Sequence, residues 1–235
     1  MIRFRILETI TAMGALLDLV VPVQCMGCGA WDTPLCQECS GIFDESPFDV
    51  SASLRVYLSN VWCLDWYEGA LRNLVLALKH DQRVDPYPYL LRLGHALAKA
   101  PFLSRADDLA IVPAPPSWKR RLFGNKIGRP LALGIAAYLA KQGQQVKIQD
   151  VLYLPLRAHQ AGRSGKGRTE RLKEGVKCVG KVGPKVLLVD DVATTGATLK
   201  ACARAIEEHG GQVVGAVVIA AAKPPVQIED TSPHM

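Results

Sequence analysis

Nowhere does the chain run apolar for long enough, or purely enough, to suggest a membrane span, so a helical integral membrane protein is not expected. The nearest approach is at the start. Met1-Ile-Arg-Phe-Arg and the apolar run ending at Cys25 have the outline of a secretory or lipoprotein signal, but Glu8 and Asp18 interrupt it. Ile6, Ile10, Met13, Leu17 and Val20 share one helical face instead, which suits a helix packed on the body of the protein or laid on a membrane surface. The expected location is cytoplasmic. Acid is also in short supply, with 22 Asp and Glu against 28 Lys and Arg, and the surplus is uneven. Arg157 to Lys173 holds six basic residues against one acid, and Ser117 to Arg129 holds five against none. Those two stretches are either solvated loops or contacts for a polyanion.

What is present suffices for an ordinary globular protein. At 235 residues and 49% hydrophobic composition, the chain can bury one good core with a small appendage. Its most informative stretch runs from Lys185 to Ala205. Val186 to Val189 is a short apolar, β-branched run of the kind that forms a strand buried on both faces, and it ends in Asp190 and Asp191. Then come Ala193, Thr194, Thr195, Gly196, Ala197 and Thr198, followed by a helix with Leu199, Cys202 and Ile206 on one face.

A small-residue turn between a strand and a helix N-terminus offers backbone N–H groups and the positive end of the helix dipole, which suit phosphate. The Thr hydroxyls add donors. The acids cannot hold phosphate, but they accept hydrogen bonds from the vicinal hydroxyls of a ribose, and the whole reads as a cradle for a ribose 5-phosphate. No G-K-[ST] follows the glycine, which excludes a nucleoside-triphosphatase P-loop. An acidic strand end capped by Thr would explain the hydroxyls and leave the double Asp without a reason.

Four of the seven cysteines fall as Cys25-x2-Cys28-x7-Cys36-x2-Cys39. Two C-x-x-C knuckles this close supply four thiolates suited to a tetrahedral, structural zinc ion, with a pair of disulfides as the competing reading. Gly27 and Gly29 permit tight turns there, and a segment so small would need its metal to fold. Cys63, Cys178 and Cys202 have no ligand spacing and read as small core residues.

Between these landmarks the elements alternate. Gly41 to Asn60 is a connection without periodicity. Val61 to Tyr67 predicts a strand and Glu68 to Leu78 a helix, ending in Lys79 and His80. Pro86 to Ala100 and Pro130 to Lys141 predict helices, while Leu109 to Pro113, Val151 to Leu154 and Gln212 to Ala221 predict strands. After Pro113 a proline-rich turn leads to Trp118, Lys119, Arg120 and Arg121. In a parallel sheet these would share the ligand-binding edge with Asp190 and Asp191. The tail after Lys223 is polar and proline-bearing, and is expected to be disordered.

The stretch from Asp190 to Thr198 resembles the phosphoribosyl-pyrophosphate signature of type I phosphoribosyltransferases, D-D-x-x-T-T-G-x-T after a hydrophobic strand. The order of pieces also resembles the ComF family of competence and GntX-like proteins. The matching pieces are Pro22 with the four cysteines, Leu78-Lys79, Val112-Pro113, Lys119 to Arg121, Gln160 with Arg168, and Asp190 to Gly196. Two departures stand out. Arg121-Leu-Phe-Gly-Asn-Lys126 replaces the family's R-G-F-N-Q, and Arg168-Thr-Glu-Arg171 leads only to Val176.

The resemblance implies a phosphoribosyltransferase-like α/β fold, a parallel sheet flanked by helices, with a small four-cysteine zinc element. Residues 1–44 would form the helix and zinc element, 45–223 the phosphoribosyltransferase-like domain and 224–235 the tail. Asp190, Asp191 and Lys79 would act at the ribose and pyrophosphate, with Lys79 alternatively a cation suiting a helix C-terminus. Ala193 to Thr198 would hold the 5-phosphate, with Lys119, Arg120 and Arg121 near pyrophosphate or DNA. Mg²⁺ would accompany phosphoribosyl pyrophosphate. The ComF likeness implies DNA uptake, with single-stranded DNA and DNA-uptake or recombination proteins as partners. An active phosphoribosyltransferase and a non-catalytic sensor of phosphoribosyl pyrophosphate stay open, because no residue declares an acceptor pocket or a base.

Overall fold

The computed structural model describes residues 23–54, 56–105, 108–116, 127–155 and 175–224. The amphipathic N-terminal stretch, the basic residues Lys119 to Arg121, the segment holding Gln160 and Arg168, and the tail lie outside them. Alternating apolar strands and amphipathic helices predict a sheet covered on both faces, and the structure has one. Six strands run in the order β1 (Phe48–Asp49), β2 (Val61–Trp66), β8 (Gln212–Ala221), β7 (Lys185–Ala193), β3 (Leu109–Pro113) and β4 (Val146–Ile148). Only β1 is antiparallel to its neighbour.

Three helices cover one face: α2 (Gly69–His80), α3 (Tyr87–Leu97) and α4 (Gly128–Lys141), with a single turn, α1 (Gln37–Ser40), preceding them in the chain. Leu71, Leu74, Val75 and Leu78 form the buried stripe of α2, at spacings that return to one side every turn, and each buried side chain contributes roughly 1.5–3 kcal/mol. The other face is covered by α5 (Ala197–Glu207), through the expected Leu199, Cys202 and Ile206. Cys63 and Cys178 are likewise buried.

Four expectations need correction. The acidic strand does not stop at Val189: β7 runs on to Ala193, pairing Asp190 with Val218 and Val192 with Ala220, because burial and pairing accommodate the acids. The run from Val151 to Leu154 contributes only β5 (Leu152–Tyr153), which pairs antiparallel with β6 (Lys177–Cys178) in a separate ribbon. And the connection from Gly41 to Asn60 contains β1, whose two residues borrow their strand geometry from β2. The helix expected from Pro86 to Ala100 runs Tyr87–Leu97, its end tightening into i→i+3 bonds from the Lys99 N–H to the Ala96 carbonyl and from the Ala100 N–H to the Leu97 carbonyl, both at 3.1 Å.

The chain crosses from β3 to β4 on one side and from β7 to β8 on the other. The carboxyl ends of β3 and β7 therefore meet at the point where the sheet's order reverses, which is where open α/β sheets collect ligands.

Candidate functional site

At that reversal lies a cavity of about 240 Å³, lined by Pro113 to Pro116 after β3, by Ile127, Gly128 and Arg129 at the start of α4, by Asp150 and Leu152, and by Asp190 and Asp191. Pro113 pairs with Val189, and the Ala114 N–H donates to the Val189 carbonyl over 2.8 Å, so the proline-rich turn is held directly beside the acids. Pro116 and Ile127, the residues flanking the segment that holds Lys119 to Arg121, both line the cavity.

The two acids are neighbours in the chain and part company in space. Asp191 is only 6% exposed, and its Oδ1 lies 2.9 Å from the Lys79 Nζ at the end of α2. Asp190 is half-buried and bears on the opposite face. The Cys202 thiol in α5 is pushed well up, first by burial and then by the Asp190 carboxylate. The Asp190 Oδ1 also accepts from the Asp191 N–H over 2.8 Å, which fixes its rotamer.

Of the six residues expected to cradle phosphate, Ala193 is the buried end of β7, Thr194 and Thr195 are exposed, Gly196 forms the turn, and Ala197 and Thr198 begin α5. Gly196 has φ +72°, and a Cβ there would come within 2.2 Å of the Val56 Cγ1. Both the handedness of the turn and the segment over it demand glycine. The Thr195 Oγ1 accepts a long hydrogen bond from the Ala197 N–H at 3.4 Å, and α5 starts with its N-terminal N–H groups at this edge.

Arg129 and Asp150 were not picked out from the sequence as site residues. They face each other as an ion pair on the cavity wall, both more than half exposed. Arg129 is the last basic residue of the stretch from Ser117, and that charge surplus is the trace this ion pair leaves in the linear order.

The second cluster is local. The Sγ atoms of Cys25, Cys28, Cys36 and Cys39 all lie within 4.8 Å of one another, with Cys28 and Cys36 at 3.7 Å. Zinc–sulfur bonds of about 2.3 Å in a tetrahedron put sulfurs about 3.8 Å apart, so the four thiols fit a metal ion of that kind. The Cys36 N–H points at the Cys25 sulfur over 3.4 Å and the Cys39 N–H at the Cys36 sulfur over 3.5 Å, donations that favour thiolates. Burial pushes the Cys25 thiol up, yet the N–H groups of Cys36, Cys28 and Gly27 outweigh it and bring it down to about 6. Cys39 goes the other way, raised by burial and by the sulfurs around it.

The cluster is built onto α2. The Asn73 Nδ2 donates to the Gly27 carbonyl over 2.9 Å, and a Cβ on Gly27 would meet the Cys39 Sγ at 2.6 Å and the Ala70 Cβ at 3.4 Å. Met26, Leu35 and Ile42 pack against the main core. One helix thus touches the cysteine cluster near its start and Asp191 at its end.

No helix among the described residues is long and apolar enough to cross a membrane. Residues 133–231 match the family model described as the phosphoribosyl transferase domain. An orotate phosphoribosyltransferase from Methanopyrus kandleri is 53% identical over 53 residues, 22% of this chain and 29% of that protein. An adenine phosphoribosyltransferase from Rhodococcus jostii is 32% identical over 114 residues, 48% of this chain and 56% of that protein. The matched regions thus span under a third and just over half of these relatives. Among solved structures, an orotate phosphoribosyltransferase from Aeropyrum pernix is 18% identical with a TM-score of 0.33, over 75% of this chain and 74% of that one. The fold is the expected one, a phosphoribosyltransferase-like α/β arrangement on a mostly parallel sheet, with a four-cysteine cluster on its N-terminal side.

Proposed function

We propose that the chain binds phosphoribosyl pyrophosphate, or a related ribose phosphate, at the cavity between the carboxyl ends of β3 and β7, and that the four cysteines hold a structural zinc ion. The observation that carries the reading is the meeting of the acid pair, the glycine turn opening α5 and a concave wall at one sheet edge, inside a stretch that matches a phosphoribosyl transferase domain.

In this reading the Gly196 turn and the first N–H groups of α5 take the 5-phosphate, and the acids face the ribose hydroxyls. Phosphoribosyl transfer breaks the bond from C1 to the pyrophosphate oxygen and forms one from C1 to the acceptor, through a ribose with oxocarbenium character. The chain's part is placement and charge compensation. Arg129, released from Asp150, reaches the departing pyrophosphate together with Lys119, Arg120 and Arg121. A carboxylate at the cavity also offers Mg²⁺ the oxygen donor it favours, and the ion when bound would offset pyrophosphate charge. Orotate and adenine, named by the relatives, are the first acceptors to try.

The four-cysteine cluster, set beside a phosphoribosyltransferase-like sheet, favours a second reading, the ComF-like one: a role in DNA uptake, with the basic stretches binding single-stranded DNA and other uptake or recombination proteins as partners. Single-stranded DNA affinity that falls steeply with salt supports it, and a flat salt dependence removes it.

Calorimetric titration with phosphoribosyl pyrophosphate and Mg²⁺ tests the main reading. Heat from the wild type and none from Asp190→Asn is expected; equal heats remove the site. Pyrophosphate release with orotate or adenine separates an enzyme from a sensor.

A further inference from the structure

We propose that the connection from β1 to β2 is a strap that positions the turn at the start of α5: Val56 braces the turn itself, and Tyr57 ties the far end of the same helix through Glu207. Both are positioning residues, acting on a bound phosphate group through α5. The proposal deepens the ribose-phosphate reading and rests on it.

Three observations carry it. The strap lies directly on the turn: a Cβ added to Gly196 would come within 2.2 Å of the Val56 Cγ1 and 3.6 Å of the Leu54 Cβ, so the turn has no room to move toward it. Next, the strap has little freedom to yield. Leu54 and Leu58 are 5% and 6% exposed, in the cluster that holds Leu199, Cys202 and Ile206 of α5. The Ser51 Oγ donates to the Ser59 carbonyl over 3.1 Å and accepts from the Val61 N–H over 2.8 Å, and the Asn60 carbonyl accepts from the Ala216 N–H over 2.7 Å, which pins the strap's end to the sheet. Lastly, two adjacent residues reach opposite ends of one helix. Val56 meets Gly196, the N-cap of α5, while the Tyr57 hydroxyl donates over 2.9 Å to the Oε2 of Glu207, the last residue of α5.

The 11 residues of α5 span about 16 Å, so a small pivot of the helix would swing its first N–H groups out of line. A helix braced at one end and tied at the other resists that pivot, and donors fixed in advance need no rearrangement when an anion arrives. Burial, and after it Glu207, push the Tyr57 hydroxyl up to about 12, so it stays a donor at ordinary pH. Covering the apolar side of α5 needs only Leu54 and Leu58. Tyr57 is 48% exposed, so its tie to Glu207 serves the placement of the helix more than burial.

Ribose 5-phosphate and inorganic phosphate are the probes, each titrated by calorimetry below the thermal transition of every variant. Val56→Ala should weaken both ligands by the same factor, roughly fivefold, since the strap acts on the group they share. Tyr57→Phe should weaken both about threefold with the melting temperature barely moved. Glu207→Ala should match it, while Glu207→Gln, which keeps an acceptor for the hydroxyl, should bind like wild type. Tyr57→Phe/Glu207→Ala should bind no more weakly than either single variant, the non-additivity expected of a coupled pair. Ile135→Val, in the core on the opposite face, supplies the effect of lost stability alone and should leave both affinities unchanged. A Val56→Ala variant that melts earlier but binds like wild type, or a Tyr57→Phe variant without effect on binding, overturns the proposal, since the strap would then be purely structural. So does a loss confined to ribose 5-phosphate, which would put the strap's action at the sugar. Failure of the wild type to bind either ligand removes the ribose-phosphate reading itself, and the strap's role with it.

Discussion

Helix α2 joins two sites assembled in opposite ways. The cysteine cluster draws all its ligands from Cys25 to Cys39 and leans on α2 through Gly27, Ala70 and Asn73. The cavity draws its wall from residues as far apart as Lys79's partner Asp191, Pro113, Arg129 and Asp150. A local site is encoded by spacing and lacks a core of its own, so an ion held by its thiols would carry much of its stability. A dispersed site is encoded by topology, and the sheet that gathers it also supports it.

The largest expected effect follows from that difference. Structural zinc is worth about 10–16 kcal/mol to isolated zinc-binding peptides, so chelation or Cys36→Ser should disorder the cluster and lower the melting temperature by on the order of 10 °C. One equivalent of zinc released by a thiol-reactive agent, together with that shift, is the measurement. If the metal leaves without moving the melt, the two sites are not divided in this way.

Next comes Gly196→Ala. A left-handed turn costs an L-residue about 1–2 kcal/mol, and the new Cβ would collide with Val56 at the 2.2 Å given by the backbone. A loss of roughly 2–4 kcal/mol in urea unfolding is expected, together with weaker ribose 5-phosphate binding. Gly41→Ala, where an added Cβ meets nothing, is the control.

The same contrast explains what could be read in advance. Leu109–Pro113 and Gln212–Ala221 are strands with the bounds that the sequence predicts, because both are apolar runs closed by a proline or a change to polar residues. The cysteines converge as their spacing demands. The extension of β7 through two carboxylates is not visible, since the burial of Asp191 depends on a lysine 112 positions away, by the difference of their numbers. β1 is two residues long and has no periodicity to detect, and the antiparallel pairing of β5 with β6 outside the main sheet is not visible either. Arg129 and Asp150 look like any surface pair until α4 and the strand β5 bring them to one wall.

A smaller effect is expected from Arg129→Met. Its side chain is more than half exposed and its tie to Asp150 is solvent-screened, so stability should barely change. Losing a charge-assisted contact to pyrophosphate should still weaken phosphoribosyl pyrophosphate binding by about tenfold while sparing ribose 5-phosphate, since only the first ligand carries the group. Equal losses for both ligands would place Arg129 at the sugar instead.

The smallest effect comes from a second ion pair at the same end of α2. Arg83 holds Asp81 through two side-chain hydrogen bonds, at 3.0 and 2.8 Å, with side chains 80% and 27% exposed against 12% and 7% for Lys79 and Asp191. The side-chain bonds from Arg83, helped by its N–H, lower the Asp81 carboxyl from 3.8 to about 2. A group whose pKa is depressed on folding adds stability that is present above the unfolded value near 3.8 and fades as pH falls through about 2. Near neutral pH the pair is therefore fully formed, yet water screens it. Arg83→Gln should move the Asp81 titration, followed by carboxyl NMR, back toward 3.8 and leave ribose 5-phosphate affinity alone. If Arg83→Gln weakens the ligand as much as Lys79→Met does, the burial of the inner pair is not what sets it apart, and the effect belongs to the positive charge of the whole helix end.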